Sequence, residues 1–273
     1  MIDYLSIFNK YITLWSLVPD GNPLFTHNSH LLPVLYKNNP AMLKVALEEE
    51  EKMGGLLMTW WDGKGAARVF AQEDNALLLE RATGKKSLID MVQNGQDEEA
   101  TRIICDVTKV LHAHKGPPPS YLLSLKEWFR ELEPAALIYE GILRTAYTIA
   151  SELLEKPQDI VVLHGDIHHE NILDFKERGW LAIDPKHLIG ERGFDYANIM
   201  RNPIKNEKLA TSPKRFKKQV DIISKSANLD PVRLLKWTLA FSGLSAAWIL
   251  GDGKEPKLDI TIAELAAVEL NIA

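Results

Sequence analysis

An aspartate and an asparagine at the ends of a D-x-x-x-x-N run, with a second aspartate closing the next apolar run, could present three oxygen donors to one ligand. The donors here are Asp166 and Asn171 of "HGDIHHEN" and Asp184 of "WLAIDP". Phosphoryl transfer calls for such a set. One carboxylate orients a substrate hydroxyl and accepts its proton, while a second carboxylate and an amide oxygen hold the magnesium that bridges the nucleotide phosphates. A short loop and a β turn back to a second strand would bring all three side chains to one edge, facing a metal-bound triphosphate and the hydroxyl it modifies. His164 reads as ordering that loop and Gly165 as freeing it sterically. His168 and His169 invite comparison with His112 and His114 as metal ligands, but magnesium takes oxygen donors, so they read as satisfied loop histidines.

The elements that must position these groups follow from periodicity and breakers. "LLPVLYK" and "AMLKVAL" read as strands joined by the turn "NNPA", and "ALEEEEKMGGLLMTWW" as a helix closed by "DGKG". "AARVFAQEDNALLLERA" reads as a strand, a turn at "QEDN" and an apolar strand over residues 76–79. After "ATGKKS" the spacing turns helical in "LIDMVQNG", "DEEATRIICDVTKVLHAH", "LLSLKEWFRELE" and "AALIYEGILRTAYTIASELLEK", with "KGPPPS" as a loop whose prolines cannot donate backbone hydrogen bonds. The runs before Asp166 and Asp184 form a strand pair embedded among helices that continue to the end. The expectation is an α+β fold of two lobes: a small β-rich N-terminal lobe over residues 1–82, a hinge at about 78–84, and a larger, mainly helical C-terminal lobe over 83–273.

Bulk composition bounds what this scaffold serves. The 273 residues are 46% hydrophobic and 25% charged, ordinary for a soluble globular chain, and 32 basic against 37 acidic residues leave a net charge of −5. No basic field supports nucleic-acid binding. Cys105, the single cysteine, can make neither an internal disulfide nor a thiolate cluster alone. The N-terminus shows no basic leader before an apolar core, and the apolar run at 239–250 is too short to span a bilayer. A cytoplasmic protein without a membrane partner is expected; oligomeric state stays open.

The string "HGDIHHEN…WLAIDP…GERGFDYANI" resembles the aminoglycoside and hydroxyurea antibiotic resistance kinases, streptomycin 6-phosphotransferase-like enzymes with a protein-kinase-like fold; "WWDGKGAARVF", "ALLLERA" and "LSAAW" extend the likeness over most of the chain. On this resemblance Asp166 matches the catalytic base, Asn171 and Asp184 the Mg²⁺ ligands, and Lys44 of "AMLKV" the strand lysine over the nucleotide phosphates. Glu51 is its expected helix partner, with Gly54 one turn on and Glu50 as second choice, the other glutamates being a solvated face. "LLLERA" resembles the hinge, where backbone groups of Glu80, Arg81 and Ala82 would pair with adenine. Asp195 would hydrogen-bond the backbone of the catalytic loop. "FTHNSHLL" contains no glycine, so cover of the phosphates would rest on Asn28, Ser29 and backbone donors.

The implied reaction transfers the γ-phosphoryl group of ATP, with Mg²⁺, to a hydroxyl of a small molecule. Only residues 185–194 separate Asp184 from Asp195, little room for an activation loop or a peptide platform, which disfavours protein substrates. A streptomycin-type aminoglycoside carries guanidinium groups, for which Glu191, Asp252 and Glu255 are candidate carboxylates and Trp248 a candidate wall. Hydroxyurea, or a metabolite such as a sugar, choline or a ketosamine, would use the same machinery with another pocket. A non-catalytic nucleotide-binding protein is the contrasting class, and the presence of Asp166, Asn171, Asp184 and Lys44 together speaks against it.

Overall fold

In a computed structural model the chain is described over residues 6–272; the first five residues of the N-terminal stretch discussed above, and residue 273, lie outside the described residues. Helix α1 (Ser6–Trp15) carries Phe8, Tyr11, Ile12 and Trp15 at helical spacing. Phe8 and Tyr11 are buried against Leu32, Val34, Leu43 and Leu78, so α1 covers one face of the N-terminal sheet. The sequence reading did not include this helix.

The sheet comprises β1 (Val18–Pro19), β2 (Leu24–Phe25), β3 (Ser29–Tyr36), β4 (Asn39–Ala46), β5 (Val69–Glu73) and β6 (Ala76–Glu80), in the order β1-β3-β4-β6-β5 with β2 also on β3. Helix α2 (Glu49–Trp61) connects β4 to β5 and packs on the face opposite α1 through Leu57, Met58 and Trp61. The β3–β4 turn falls at Lys37 and Asn38, with φ of 49° and 64°, rather than at "NNPA". A two-residue hairpin needs left-handed backbone at both positions, and Asn39 and Pro40 are already strand.

The remainder is mainly helical: α3 (Leu88–Gln93), α4 (Asp97–His112), α5 (Leu125–Trp128), α6 (Leu132–Tyr139), α7 (Gly141–Glu155), α8 (Gly193–Ala197), α9 (Glu207–Ala210), α10 (Pro213–Ala227), α11 (Pro231–Gly251) and α12 (Lys257–Glu269). The α+β class with a β-rich N-terminal part and a helical C-terminal part is as expected. Helix α11 is long and apolar enough by composition to cross a membrane, longer than the run at 239–250 suggested, but 72% of its apolar window is buried in the protein, where it packs on α7 and α12.

Three local readings change. The segment around Ser124 begins as the short strand β7 (Leu123–Ser124), and α5 starts after it with a capping box, the Ser124 hydroxyl taking the Glu127 N–H and the Glu127 carboxylate the Ser124 N–H. The long helix expected over 135–156 is broken at Glu140 and Gly141, with φ of 44° and 55°. The runs before Asp166 and Asp184 do not pair with each other. Strand β8 (Ile160–Leu163) pairs with β11 (Leu188–Glu191), whereas β9 (Ile172–Asp174) forms a hairpin with β10 (Trp180–Ala182). The loop over residues 164–171 is the link between these two small sheets, so each of its ends is fixed by a different ribbon.

Close approach of α2 to the segment after β10 depends on Gly54. A Cβ there would lie 2.0 Å from the Pro185 carbonyl oxygen, a backbone atom that no rotamer change can move. Gly54→Ala is expected to destabilise the protein by about 1–3 kcal/mol through overpacking, measured as a lower Tm; an unchanged Tm would contradict this.

Candidate functional site

Residues 164–171 loop out of β8 and are held from behind by α8. Asp195 accepts hydrogen bonds from the His164 N–H at 2.9 Å, the Gly165 N–H at 2.7 Å and His112 Nε2 at 2.8 Å. His164 is fully buried, and burial lowers its pKa, so the ring is neutral. Its Nε2–H donates to the Ile183 carbonyl at 2.9 Å and Nδ1 accepts from the Asp166 N–H at 3.2 Å, which settles the tautomer and ties the loop to the end of β10.

Asp166 is braced by two amides. Asn198 Nδ2 donates to Oδ1 at 2.9 Å, and Asn171 Nδ2 lies 3.2 Å from Oδ2 and 2.9 Å from the Asp166 carbonyl. Burial pushes the Asp166 carboxyl up, but His168, with Nε2 at 3.7 Å, and the positive charge of Lys186 outweigh it and bring the pKa down to about 2. Because Asn171 turns its NH₂ towards two oxygens, its Oδ1 is left facing away from them. Asn171 aligns with Asp184 across the β9–β10 hairpin, since the Ile183 N–H bonds the Asn171 carbonyl at 2.9 Å. Asp184 has a left-handed backbone, φ 62°, a conformation that Asp and Asn tolerate better than most residues. An amide oxygen and a carboxylate on one edge form an all-oxygen donor set that fits a hard divalent cation completed by phosphate oxygens and water.

Lys44 reaches this edge from β4. It pairs with Glu51 at 2.6 Å and with Asp184, and although burial opposes its charge, those carboxylates hold its pKa above the ordinary value. Glu51 is therefore the helix partner. Glu50, the second choice, pairs instead with Lys186 at 2.8 Å, and Lys186 also approaches Glu51 at 3.3 Å.

Beside Lys44 and Asp184 opens a cavity of about 470 Å³, the size of a small-molecule site. Leu31, Met42 and Leu79 line it from the sheet, and Leu173, Phe175 and Ile183 from the β9–β10 side, an apolar slot with Lys44, Glu51 and Asp184 towards one end and Glu80 and Arg81 towards the other. Glu80, Arg81 and Ala82 line its edge, but the Glu80 N–H is already bonded to the Arg68 carbonyl at 2.8 Å and its carboxylate pairs with Arg178. Of the backbone groups at this edge, that bond takes up the Glu80 N–H alone. The connector that follows is pinned by Asp174, whose carbonyl accepts the Gly84 N–H at 2.9 Å. Asn28 and Ser29 also line the cavity; the Ser29 hydroxyl is engaged with Thr26 Oγ1 at 3.1 Å, whereas the Asn28 amide has no hydrogen bond to a described residue.

The acceptor candidates are placed differently. Glu191 is buried and saturated by Arg233 Nε at 2.6 Å, Trp237 Nε1 at 2.8 Å and the Gln158 N–H at 2.9 Å, so it is a structural carboxylate, not a free partner for a guanidinium. Glu191→Ala leaves the Trp237 Nε1–H and the Gln158 N–H without their acceptor and is expected to cost about 1–3 kcal/mol for each, measured by thermal unfolding; a wild-type Tm would contradict it. Trp248 packs edge to face on Trp128, with centroids 5.4 Å apart, and Asp252 caps α11 beside Lys254 at 3.2 Å; neither lines the cavity. Glu255 pairs with Lys257 at 3.1 Å. Of the histidines, His114 packs on Trp60 with centroids 4.1 Å apart and ring planes tilted by 57°, while His169 is buried with neither ring nitrogen hydrogen-bonded to a described residue, so "satisfied" does not describe it.

Sequence reasoning missed Asn198 and Lys186. Asn198 lies one helical turn after Asp195, so both face the loop, and that i, i+3 spacing was a usable signal. Lys186 follows "IDP" directly, but its reach to α2 is not visible in the chain order.

Comparison with known proteins shows the family. The family model described as aminoglycoside/hydroxyurea antibiotic resistance kinase matches residues 14–253. The chain is 49% identical to the streptomycin 3''-kinase of Klebsiella pneumoniae over 242 residues, covering 88% of this chain and 91% of that one. It is 30% identical to the streptomycin 6-kinase of Streptomyces griseus, covering 89% and 82%. At 14% identity it shares the fold of a thermostable mutant of aminoglycoside phosphotransferase APH(4)-Ia, solved in ternary complex with ADP and hygromycin B, with a TM-score of 0.64 over 97% of each chain.

Proposed function

Because this chain belongs to the aminoglycoside/hydroxyurea antibiotic resistance kinase family, we propose that it transfers the γ-phosphoryl group of ATP to a hydroxyl of streptomycin, inactivating the antibiotic. The observation that carries the reaction class is the Lys44–Asp184 pair on the wall of the apolar cavity, with Asn171 bonded through its carbonyl to Ile183 beside Asp184 and through its amide to Asp166. The nucleotide base occupies the slot between Met42 and Leu173, with the Ala82 backbone at its edge and Asn28 over the phosphates. Lys44 binds phosphate oxygens and is oriented by Glu51. Asn171 Oδ1 and the Asp184 carboxylate would hold magnesium, which when bound would supply positive charge to stabilise the transferring phosphoryl group. Asp166 aligns the acceptor hydroxyl and receives its proton as the oxygen–phosphorus bond forms and the bond to ADP breaks. Positioning and electrostatics supply nearly all of the rate enhancement in this scheme.

The division into a nucleotide lobe at 1–82 and a catalytic and acceptor lobe at 83–273 belongs to the same reading, as does a reducing, cytoplasmic setting for the buried thiol of Cys105. The greater identity to a streptomycin 3''-kinase than to a streptomycin 6-kinase supports the 3''-hydroxyl as acceptor. An ATP-consumption screen across streptomycin, hydroxyurea, other aminoglycosides, choline and sugars, followed by NMR of the product, tests this. Consumption with streptomycin and phosphate on the 3''-oxygen is expected. Phosphate on the 6-oxygen overturns the position, and consumption only with another acceptor overturns the substrate.

A further inference from the structure

Lys186 is fixed to the large lobe by its backbone and to the small lobe by its side chain. Its N–H bonds the His164 carbonyl at 2.6 Å, at the start of the catalytic loop, and β11 begins two residues later against β8. Its ammonium lies 2.8 Å from Glu50 and 3.3 Å from Glu51, both in the first turn of α2. Glu51 is thus shared: one carboxylate oxygen faces Lys44 at 2.6 Å and the other faces Lys186. Next to this pair, Gly54 lets α2 approach the Pro185 backbone so closely that even a methyl group would collide. The chain from Asp184 to α8 consists of a turn, β11 and one further residue, so no mobile segment lies there to hold or release α2.

We propose that Lys186 is a positioning residue that latches α2 onto the catalytic loop through Glu50 and Glu51, so that Lys44 and Glu51 stay assembled for nucleotide without any ordering event. The inference rests on the nucleotide-binding reading above and adds a means of keeping that site permanently formed. A side chain anchored beside His164 and gripping two carboxylates of α2 resists separation of the helix from the large lobe. When the grip is lost, α2 can move and take Glu51 with it, and Lys44 then answers only to Asp184. The apparent affinity of a site falls by the fraction of molecules in the competent arrangement. The effect therefore appears in nucleotide binding before it appears in the transfer step.

The test uses the full-length protein in four variants, K186M, K186R, E50Q and K186M/E50Q, with Mg²⁺ and the non-hydrolysable analogue AMP-PNP titrated calorimetrically, alongside KM for ATP and kcat. If K186M leaves the competent arrangement populated about one time in ten, its Kd and KM rise together about tenfold, with a smaller change in kcat. K186R restores most of the affinity. E50Q, at a partly exposed position that leaves the core untouched, weakens binding by less, because Glu51 remains. The double variant is no worse than K186M, since the two share one interaction. Wild-type Kd and KM in K186M, a loss confined to kcat, or full additivity of K186M and E50Q would each overturn the latch. Failure of the phosphotransfer reading shows separately, as absence of turnover by the wild-type chain with every acceptor, while the Kd comparison still decides the latch.

Discussion

Asp166→Ala is expected to lower kcat by roughly 10²–10⁴-fold, the range associated with a positioned proton acceptor, while nucleotide binding is retained. The reason lies in how Asp166 is held. Asn198 and Asn171 fix its two oxygens and His164 fixes its N–H, so the carboxylate is oriented before any acceptor arrives. None of the apolar groups that form the cavity depends on it, which is why binding and turnover separate. The pH dependence follows from the same contacts. With a pKa near 2 the carboxylate form persists throughout the physiological range. A folded pKa below the unfolded value near ~4 contributes stability above that value, which is lost as pH falls through the folded one. Any acid limb of the rate profile above about pH 4 therefore belongs to another group, and the profile limb attributable to Asp166 should lie below it. Steady-state kinetics and nucleotide titration of the variant check both points; a turnover within a few-fold of wild type would remove Asp166 from the chemistry.

Asp184→Asn is expected to be comparably severe, lowering kcat by about 10²–10³-fold, the scale of a lost electrostatic stabiliser. Asparagine is the informative replacement because it keeps the size of the side chain and tolerates the left-handed backbone at φ 62°, so the hairpin end is preserved. The charge alone is removed, and with it the anionic oxygen proposed for the metal and one partner of Lys44. Lys44 still has Glu51 at 2.6 Å, so the fold and the cavity persist. Turnover measured against Mg²⁺ concentration should rise without reaching wild-type kcat even at saturation. Full recovery of kcat with excess Mg²⁺ would show that Asp184 governs only metal affinity, and full activity at every concentration would place the metal elsewhere.

These residues could be found in the sequence because their constraints are local. Asp166 and Asn171 lie within one loop, Asp184 ends the next apolar run, and Lys44 and Glu51 are separated by a strand end and a single helical turn. The N-terminal sheet could be read for the same reason, since alternating apolar residues and short turns act over a few positions; the hairpin turn shifted only because Lys37 and Asn38 accept left-handed backbone that the "NNPA" signal concealed. What could not be read depends on distant parts of the chain. The partner of β8 is β11, not the run before Asp184, and pairing choice among short apolar strands is set by tertiary packing. Glu191 reads in the sequence as a carboxylate open to an acceptor because Arg233 and Trp237, which saturate it, come from α11. Lys186 and Glu50 are separated by most of the chain and meet only because Gly54 allows α2 to dock. The apolar stripe of α1 finds its partners, among them Leu32, Leu43 and Leu78, in strands well separated from it along the chain.

The most direct test of the central claim, phosphoryl transfer from nucleotide to a streptomycin hydroxyl at Asp166, is mass spectrometry of streptomycin incubated with the protein, Mg²⁺ and ATP, with the Asp166→Ala variant in parallel. One added phosphoryl group with the wild-type chain, absent over the same interval with the variant, is the predicted result. Unmodified streptomycin with the wild-type chain, or equal phosphorylation by both, would contradict the account.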